Sequence, residues 1–250
     1  MLQAITFDFW DTLVADDSDE PKRQARGLPT KAETRLQLLS DEIARHHAEI
    51  TRGQIAAAFK HANDTFNHAW KIEHHTPTVA TRLKFAYEFL QIELTPGFDA
   101  IVRAVEEMEV EIPPDFCAGV NDALAQLARQ YKLGIFSDTI HTPGRGIRRL
   151  LETQNILHHF SFCVFSDEVG ASKPKPIVFE RASAGLGVPL ANIAHVGDRE
   201  SNDVDGPLAL GMRAILFTGA IDRGSAHTRA HAVCKNFTEL PGVVARLNQK

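Results

Sequence analysis

Apolar positions follow two rhythms along this chain. Short runs at Ala4–Phe7, Lys132–Phe136, Phe162–Phe165, Ile193–Val196 and Arg213–Phe217 are nearly unbroken, and the first, second and fourth end on polar residues or glycine. Runs of that length, rich in β-branched and aromatic side chains, predict buried strands. Between them lie stretches with helical spacing, at about 118–130, 144–154, 176–186 and 203–210. Strands alternating with helices predict an α/β fold, a Rossmann-like parallel sheet with helices on both faces.

A different pattern interrupts the core just after the first strand. Residues 16–29 are charged and contain Pro21, Gly27 and Pro29, so they read as an exposed connector. From about Thr30 to Glu111 the periodicity is helical throughout. Leu36, Leu39 and Ile43 mark one helix. Thr51 and Gln54 form a capping box ahead of Ile55, Phe59, Ala62, Phe66 and Trp70. A third helix starts near Pro77 or Thr78, and a fourth carries Ile101, Val102, Val105 and Met108 beyond Pro96-Gly97. The expected organisation is a core of residues 1–15 and 114–250, with residues 16–113 inserted as a four-helix unit.

Composition narrows the partners. The chain has 250 residues, 44% hydrophobic and 24% charged, with a formal net charge of -5. It lacks the lysine-arginine cluster that a nucleic-acid footprint requires, so nucleic acid is an unexpected partner. A small phosphorylated molecule needs only one local cation. Cys117, Cys163 and Cys234 are widely spaced with no CxxC pair, and Cys163 sits in an apolar run as a small core residue. Thiols used this way suit a reducing, cytoplasmic setting. The chain opens on a strand without a signal-peptide pattern, and no apolar run approaches membrane-spanning length. The expected state is a monomer or homodimer.

Right-handed crossovers would gather the carboxyl ends of all strands on one edge. That edge collects Asp8, Ser137, Asp138, Gly197 and Asp198, with Lys173 in a loop nearby. In order along the chain these read Asp8-Phe-Trp-Asp-Thr12-Leu13, Ile135-Phe-Ser137-Asp138, Ser172-Lys173-Pro174, and Gly197-Asp198 followed by Asp203. The set resembles the four motifs of the haloacid dehalogenase superfamily of hydrolases, and the resemblance covers nearly the whole chain. The helical insertion looks like that family's α-helical cap of the first type.

The resemblance implies a nucleophilic carboxylate, Asp8, that attacks a phosphoryl group and forms an aspartyl-phosphate. It implies Mg²⁺ held by Asp8, Asp198, the main-chain carbonyl of Trp10, and Asp203 directly or through water. Lys173 would stabilise developing charge, and Thr12, Ser137, Asp138 and Lys173 would bind the phosphate. One position departs from the pattern. Two residues after the nucleophile the family's phosphatases usually carry a second aspartate, the general acid and base; here stands Trp10. Asp11 follows one residue late and is expected to brace the turn.

Three readings stay open. The first is a Mg²⁺-dependent phosphatase whose acid–base function is reassigned or absent. The second is an enzyme like the 2-haloacid dehalogenases, which carry an aromatic residue at this position and need no metal; the Gly197-Asp198 pair fits it poorly. The third is a degenerate member that binds a phosphorylated ligand or a protein partner. In the insertion, His46, His47, His61, His68, His74 and His75 are expected to be mostly solvated, while His74, His75 or Arg82 is expected to contact substrate.

Overall fold

The five apolar runs become strands of one parallel sheet. The computed structural model describes residues 1–249. Its strands are β1 (Ala4–Phe7), β2 (Val14–Ala15), β3 (Asp115–Phe116), β4 (Lys132–Ser137), β5 (Phe160–Phe165), β6 (Ile193–Gly197), β7 (Arg213–Phe217) and β8 (Ala232–Cys234). The main sheet has the order β5-β4-β1-β6-β7-β8, all pairs parallel. The chain thus runs outward from β1 to β4 and β5, then returns to β6 on the other side of β1. Ligands of open α/β sheets bind in the crevice beside such a reversal, outside the carboxyl ends of the strands.

Helices follow as α1 (Glu20–Ala25), α2 (Lys31–His46), α3 (Arg52–Lys71), α4 (Val79–Leu90), α5 (Phe98–Glu111), α6 (Val120–Leu127), α7 (Gly144–Thr153), α8 (Ser166–Val169), α9 (Pro176–Leu186), α10 (Gly206–Ala209) and α11 (Leu240–Asn248). Alternation along β1 sends Ile5 and Phe7 to one face, where they pack with Leu124 of α6, Leu150 of α7 and Val244 of α11. Ala4 turns to the other face, with Val178, Phe179 and Leu186 of α9. All four residues of β1 are buried, as a central parallel strand requires.

Helices α2 to α5 enclose a separate hydrophobic cluster built on Leu39, Ile43, Ile55, Leu83, Tyr87, Phe98 and Val105. The Thr51–Gln54 capping box forms at the start of α3, and a second one joins Thr30 and Glu33 at the start of α2. A two-stranded antiparallel ribbon of β2 and β3 carries the chain into this helical layer and back, pairing Val14 with Phe116 and Ala15 with Asp115.

Three segments differ from the sequence expectation. Residues 16–29 are more than a connector: α1 lies within them, and Asp19 and Arg23 are buried. Their charges are tolerated because they are paired. Asp19 accepts from Lys31 Nζ at 2.8 Å, and Arg23 donates to Thr34 Oγ1 at 2.7 Å and to the Pro29 carbonyl at 3.0 Å. The helix expected at 203–210 is a π-helical turn, Glu200–Asp205, that runs into the short α10. Cys163 is only half-buried because β5 is an edge strand; Cys234 is buried, and all three thiols are free.

Beyond Phe217 the sequence pattern is silent, yet β8 and α11 complete the core there. Phe237, fully buried in the connection, packs at a tilt against Phe217 at 4.8 Å and stacks on Phe7 at 6.5 Å between ring centroids. Among the described residues no helix is long and apolar enough to cross a membrane. Truncating Phe237 to alanine is expected to cost about 3–5 kcal/mol of unfolding free energy. Chemical denaturation measures this directly, and a loss below about 1 kcal/mol would show that the last segment is not integral to the core.

Candidate active site

Three adjacent strands deliver the site's acids. Phe7 of β1 lies in register with Ile135 of β4 on one side and Val196 of β6 on the other. Asp8, one residue further on, therefore emerges between Ser137-Asp138 and Gly197-Asp198. All of these residues are buried: Asp8, Ser137, Asp138 and Asp198 expose 6% or less, and Gly197 ends a fully buried strand.

Lys173 reaches them from the loop between α8 and α9. Its Nζ stands 2.9 Å from Asp8 Oδ1 and donates to Asp203 Oδ1 at 2.6 Å. The loop is pinned by its own backbone, since Lys173 N donates to Asp138 Oδ1 at 3.0 Å. Asp203 has no unbonded oxygen. Its Oδ1 also lies 3.1 Å from His195 Nε2, and its Oδ2 accepts from the Arg199 main-chain N–H at 2.9 Å. A neutral His195 satisfies this chain, with Nε2–H donating to Asp203 and the Thr6 hydroxyl donating to Nδ1 at 2.9 Å. Gly197 is required here. A Cβ at that position would lie 2.3 Å from Asp203 Cγ, so any side chain would displace the carboxylate.

Asp198 divides its two oxygens. Oδ2 accepts from Arg223 Nε at 2.6 Å, while Oδ1 is buried and has no hydrogen-bond partner among the described residues. Arg223 Nη2 also donates to Asp11 Oδ2 at 2.6 Å, and Asp11 Oδ1 accepts from the Asp16 N–H at 3.0 Å. Asp11 thus braces its turn, in a left-handed conformation with φ 51°. Ser137 donates to the Asp138 carbonyl at 3.3 Å, and the Thr12 hydroxyl is buried without a hydrogen-bond partner among the described residues.

Electrostatics set the acids apart. Burial raises the pKa of Asp8, opposed by Lys173 and reinforced by Asp203. Burial pushes Asp198 up to about 7, helped by the charges of Asp203 and Asp8. Burial acts on Asp203 too, but Lys173 and His195 outweigh it and hold that carboxyl well below the usual range. Burial disfavours the Lys173 ammonium, yet Asp203, Asp8 and Asp138 more than offset it and raise its pKa. Asp8, Asp198 and Asp203 each offer a carboxylate oxygen, all within 4.8 Å of one another. With the open Oδ1 of Asp198, this donor set suits a hard divalent cation. Among the described residues it is the one acid, histidine or cysteine cluster of that kind; the histidines of the helical layer form none.

The edge faces a cavity of about 280 Å³, lined by Asp8, Trp10, Lys173, Arg35, Trp70 and His141 among others. Trp70 of α3 closes one wall, donating from Nε1 to Asp138 Oδ2 at 3.1 Å. His74 and His75 tie the helical layer to the lysine loop. The His74 carbonyl accepts from Ser172 N at 3.0 Å, and His75 Nδ1 lies 3.0 Å from the Gly170 carbonyl. Sequence patterns alone do not reveal Arg35, Trp70, His141, His195 or Arg223. Only His195 leaves a trace, as a polar residue inside an apolar strand that must find partners when buried.

Comparison with known proteins agrees with this geometry. A family model described as haloacid dehalogenase-like hydrolase matches residues 2–211. Haloacid dehalogenase-like hydrolase domain-containing protein 3 of Danio rerio is 31% identical over 107 residues, 41% of this chain and 44% of that one. A phosphoserine phosphatase of Thermus thermophilus is 39% identical over 77 residues, 31% of this chain and 29% of that one. The matches therefore span less than half the length of these curated relatives. The crystal structure of a HAD phosphatase from Thermococcus onnurineus shares the fold, with a TM-score of 0.62 at 21% identity, covering 97% of this chain and 98% of that one. With its sheet, its ordered motifs and a family match across most of its length, the chain belongs to the haloacid dehalogenase-like hydrolases.

Proposed function

We propose that this hydrolase is a Mg²⁺-dependent phosphatase of a small phosphorylated molecule, with Asp8 as nucleophile. The observation that carries the reading is the buried triad of Asp8, Asp198 and Asp203, within 4.8 Å of one another, with Lys173 bridging two of its members. Asp8, Asp198 and the Trp10 carbonyl are the proposed metal ligands. Asp203, whose oxygens are already bonded, acts through water. Bound Mg²⁺ supplies the positive charge that lets an anionic nucleophile approach an anionic substrate.

The chain's own groups do the rest. Lys173, 2.9 Å from Asp8 Oδ1, favours the ionised nucleophile against the effect of burial and sets a fixed charge beside the transferring phosphoryl oxygens. Thr12 and Ser137 offer hydroxyls, and the Asp138 main chain a further donor, to the same oxygens. Attack by Asp8 on phosphorus releases the leaving group as an oxyanion; water then attacks phosphorus and frees both phosphate and Asp8. Trp10 cannot protonate the departing oxygen. General acid–base catalysis is worth ~10²–10⁴-fold, so substrates with good leaving groups should dominate. The helical layer acts as the cap that shields this chemistry from water. The phosphoserine phosphatase among the relatives supports the direction of the reading without fixing the substrate.

Two experiments test it. Hydrolysis of an acyl phosphate and an aryl phosphate should need Mg²⁺ and outpace that of an alkyl phosphate by ~10²-fold or more. An L-2-haloacid assayed alongside should release no halide; release of halide in the presence of chelator would turn the assignment to a dehalogenase. Asp8→Asn should abolish phosphate release while melting like the parent protein. Full activity in that variant would remove Asp8 from the chemistry.

A further inference from the structure

Three donors on the walls of the Asp8 cavity make no hydrogen bond among the described residues. Trp10 Nε1, Arg35 Nε and Arg35 Nη2 are each buried and lack a hydrogen-bond partner among the described residues. Both residues line the cavity that holds Asp8 and Lys173, as do Lys31 and the acids Asp16, Asp17 and Glu109 that gather around it. Arg35 is only 8% exposed. A buried donor left unsatisfied costs ~1–3 kcal/mol, and a charged one costs more. Nε and Nη2 lie on one edge of the guanidinium plane, the fork that grips a carboxylate or phosphoryl group with two parallel bonds.

The protein's own acids do not fill that fork. Glu109 comes within 3.5 Å of Arg35 Nη2, but its Oε1 accepts from Lys31 Nζ at 3.0 Å and its Oε2 from the Thr142 hydroxyl. Asp17 and Asp19 also converge on Lys31, at 2.9 and 2.8 Å, and Asp16 stands 4.0 Å from it. One ammonium thus draws in the acids on this side of the site. Arg82 adds a second guanidinium, also 8% exposed, with Nη1 unpartnered. Its Nε is spent on Asn63 Oδ1 at 2.9 Å, and its face lies 4.2 Å from the Phe66 ring centroid. Burial, and then the charge of neighbouring Arg35, brings its pKa down to about 9. The charges of Glu109, Asp17, Asp19 and Glu20 partly offset that of Arg35, but the donors named above stay without a hydrogen-bond partner among the described residues.

We propose that Trp10 and Arg35, with Arg82 in support, form a second anion subsite, so that the substrate carries a carboxylate or second phosphoryl group besides the phosphoryl group at Asp8. Only the identity of the first group rests on the phosphatase reading. A cavity of about 280 Å³ sits at the small end of ligand pockets, so both groups belong to one compact molecule. Trp10 then has a purpose of its own. Where related phosphatases are expected to place an acid that would repel the second anion, this chain places a neutral donor.

The test uses three phosphonates, whose carbon–phosphorus bonds resist hydrolysis, titrated calorimetrically into the full chain with Mg²⁺. Phosphonopropionate carries the carboxylate, ethylenebisphosphonate the second phosphoryl group, and phosphonopropionamide an uncharged isostere. At least one of the two ligands with a second anionic group should bind ~10-fold or more tighter than the amide, and the tighter of the two identifies the second group. Arg35→Lys keeps the charge but loses the fork, and Trp10→Phe keeps the bulk but loses the N–H; each should shrink that ratio several-fold. A wild-type ratio below tenfold, no binding by any ligand, or a ratio that survives both variants overturns the subsite. Should Arg35→Lys fail to fold, the wild-type ratio and Trp10→Phe decide alone. An aryl phosphate that yields no phosphate while the ratio holds would overturn the phosphatase reading and leave the subsite standing.

Discussion

One buried ammonium organises the functional end of this molecule. Lys173 is 2% exposed and sits between Asp8 and Asp203, at 2.9 and 2.6 Å. Taking ions of this size out of water costs several kcal/mol each, and the cost is recovered only where geometry is good and the remaining lone pairs are satisfied. Both conditions hold. Asp203 is also hydrogen-bonded by His195 and by the Arg199 main chain, and His195 is in turn held by Thr6 on the central strand. The sheet, the lysine loop and the π-helical turn are thereby locked to one another through polar contacts. The orientation of Asp8 is then a property of the fold, fixed before any ligand arrives.

What was legible in the sequence follows from how local each signal is. Asp8, Ser137, Asp138 and Asp198 could be placed because each ends or follows an apolar strand run, and a parallel sheet brings those ends together. The four helices of residues 31–111 were legible from apolar spacing and the Thr51–Gln54 box. Arg35 gave no signal. It stands on α2 beside the stripe of Leu36, Leu39 and Ile43, and its neighbours Glu109 and His141 are distant in sequence. Arg223 lies in the irregular stretch between β7 and β8, where no periodicity marks a position. The ribbon of β2 and β3 was hidden for another reason: two-residue strands are too short to carry a pattern. Charge content misled once, at residues 16–29, because pairing lets Asp19 and Arg23 be buried.

Wall and edge of the cavity have distinct chemistry. At the sheet edge, acids converge and one carboxylate oxygen, Asp198 Oδ1, is open. On the helical side Arg35 has guanidinium donors without a hydrogen-bond partner among the described residues, and Trp10 Nε1, at the turn after β1, is in the same state. His141 between them is kept neutral, its pKa held well below the usual value by burial and by the charges of Arg35, Arg82 and Lys31. An acceptor-rich small molecule bound between a cation-seeking edge and an anion-seeking wall would complete both. The Trp70–Asp138 hydrogen bond joins the two halves directly, so any opening of the helical layer must break it.

Covalent chemistry at a single carboxylate, that of Asp8, decides the proposed reaction. Enzyme mixed with an acyl or aryl phosphate and Mg²⁺, then quenched in acid during turnover, can be reduced with borohydride, digested and sequenced by mass spectrometry. A phosphoryl group on Asp8, converted by reduction to homoserine at position 8, is the expected result. Phosphate release with Asp8 unmodified throughout, or with the adduct on another side chain, would contradict it.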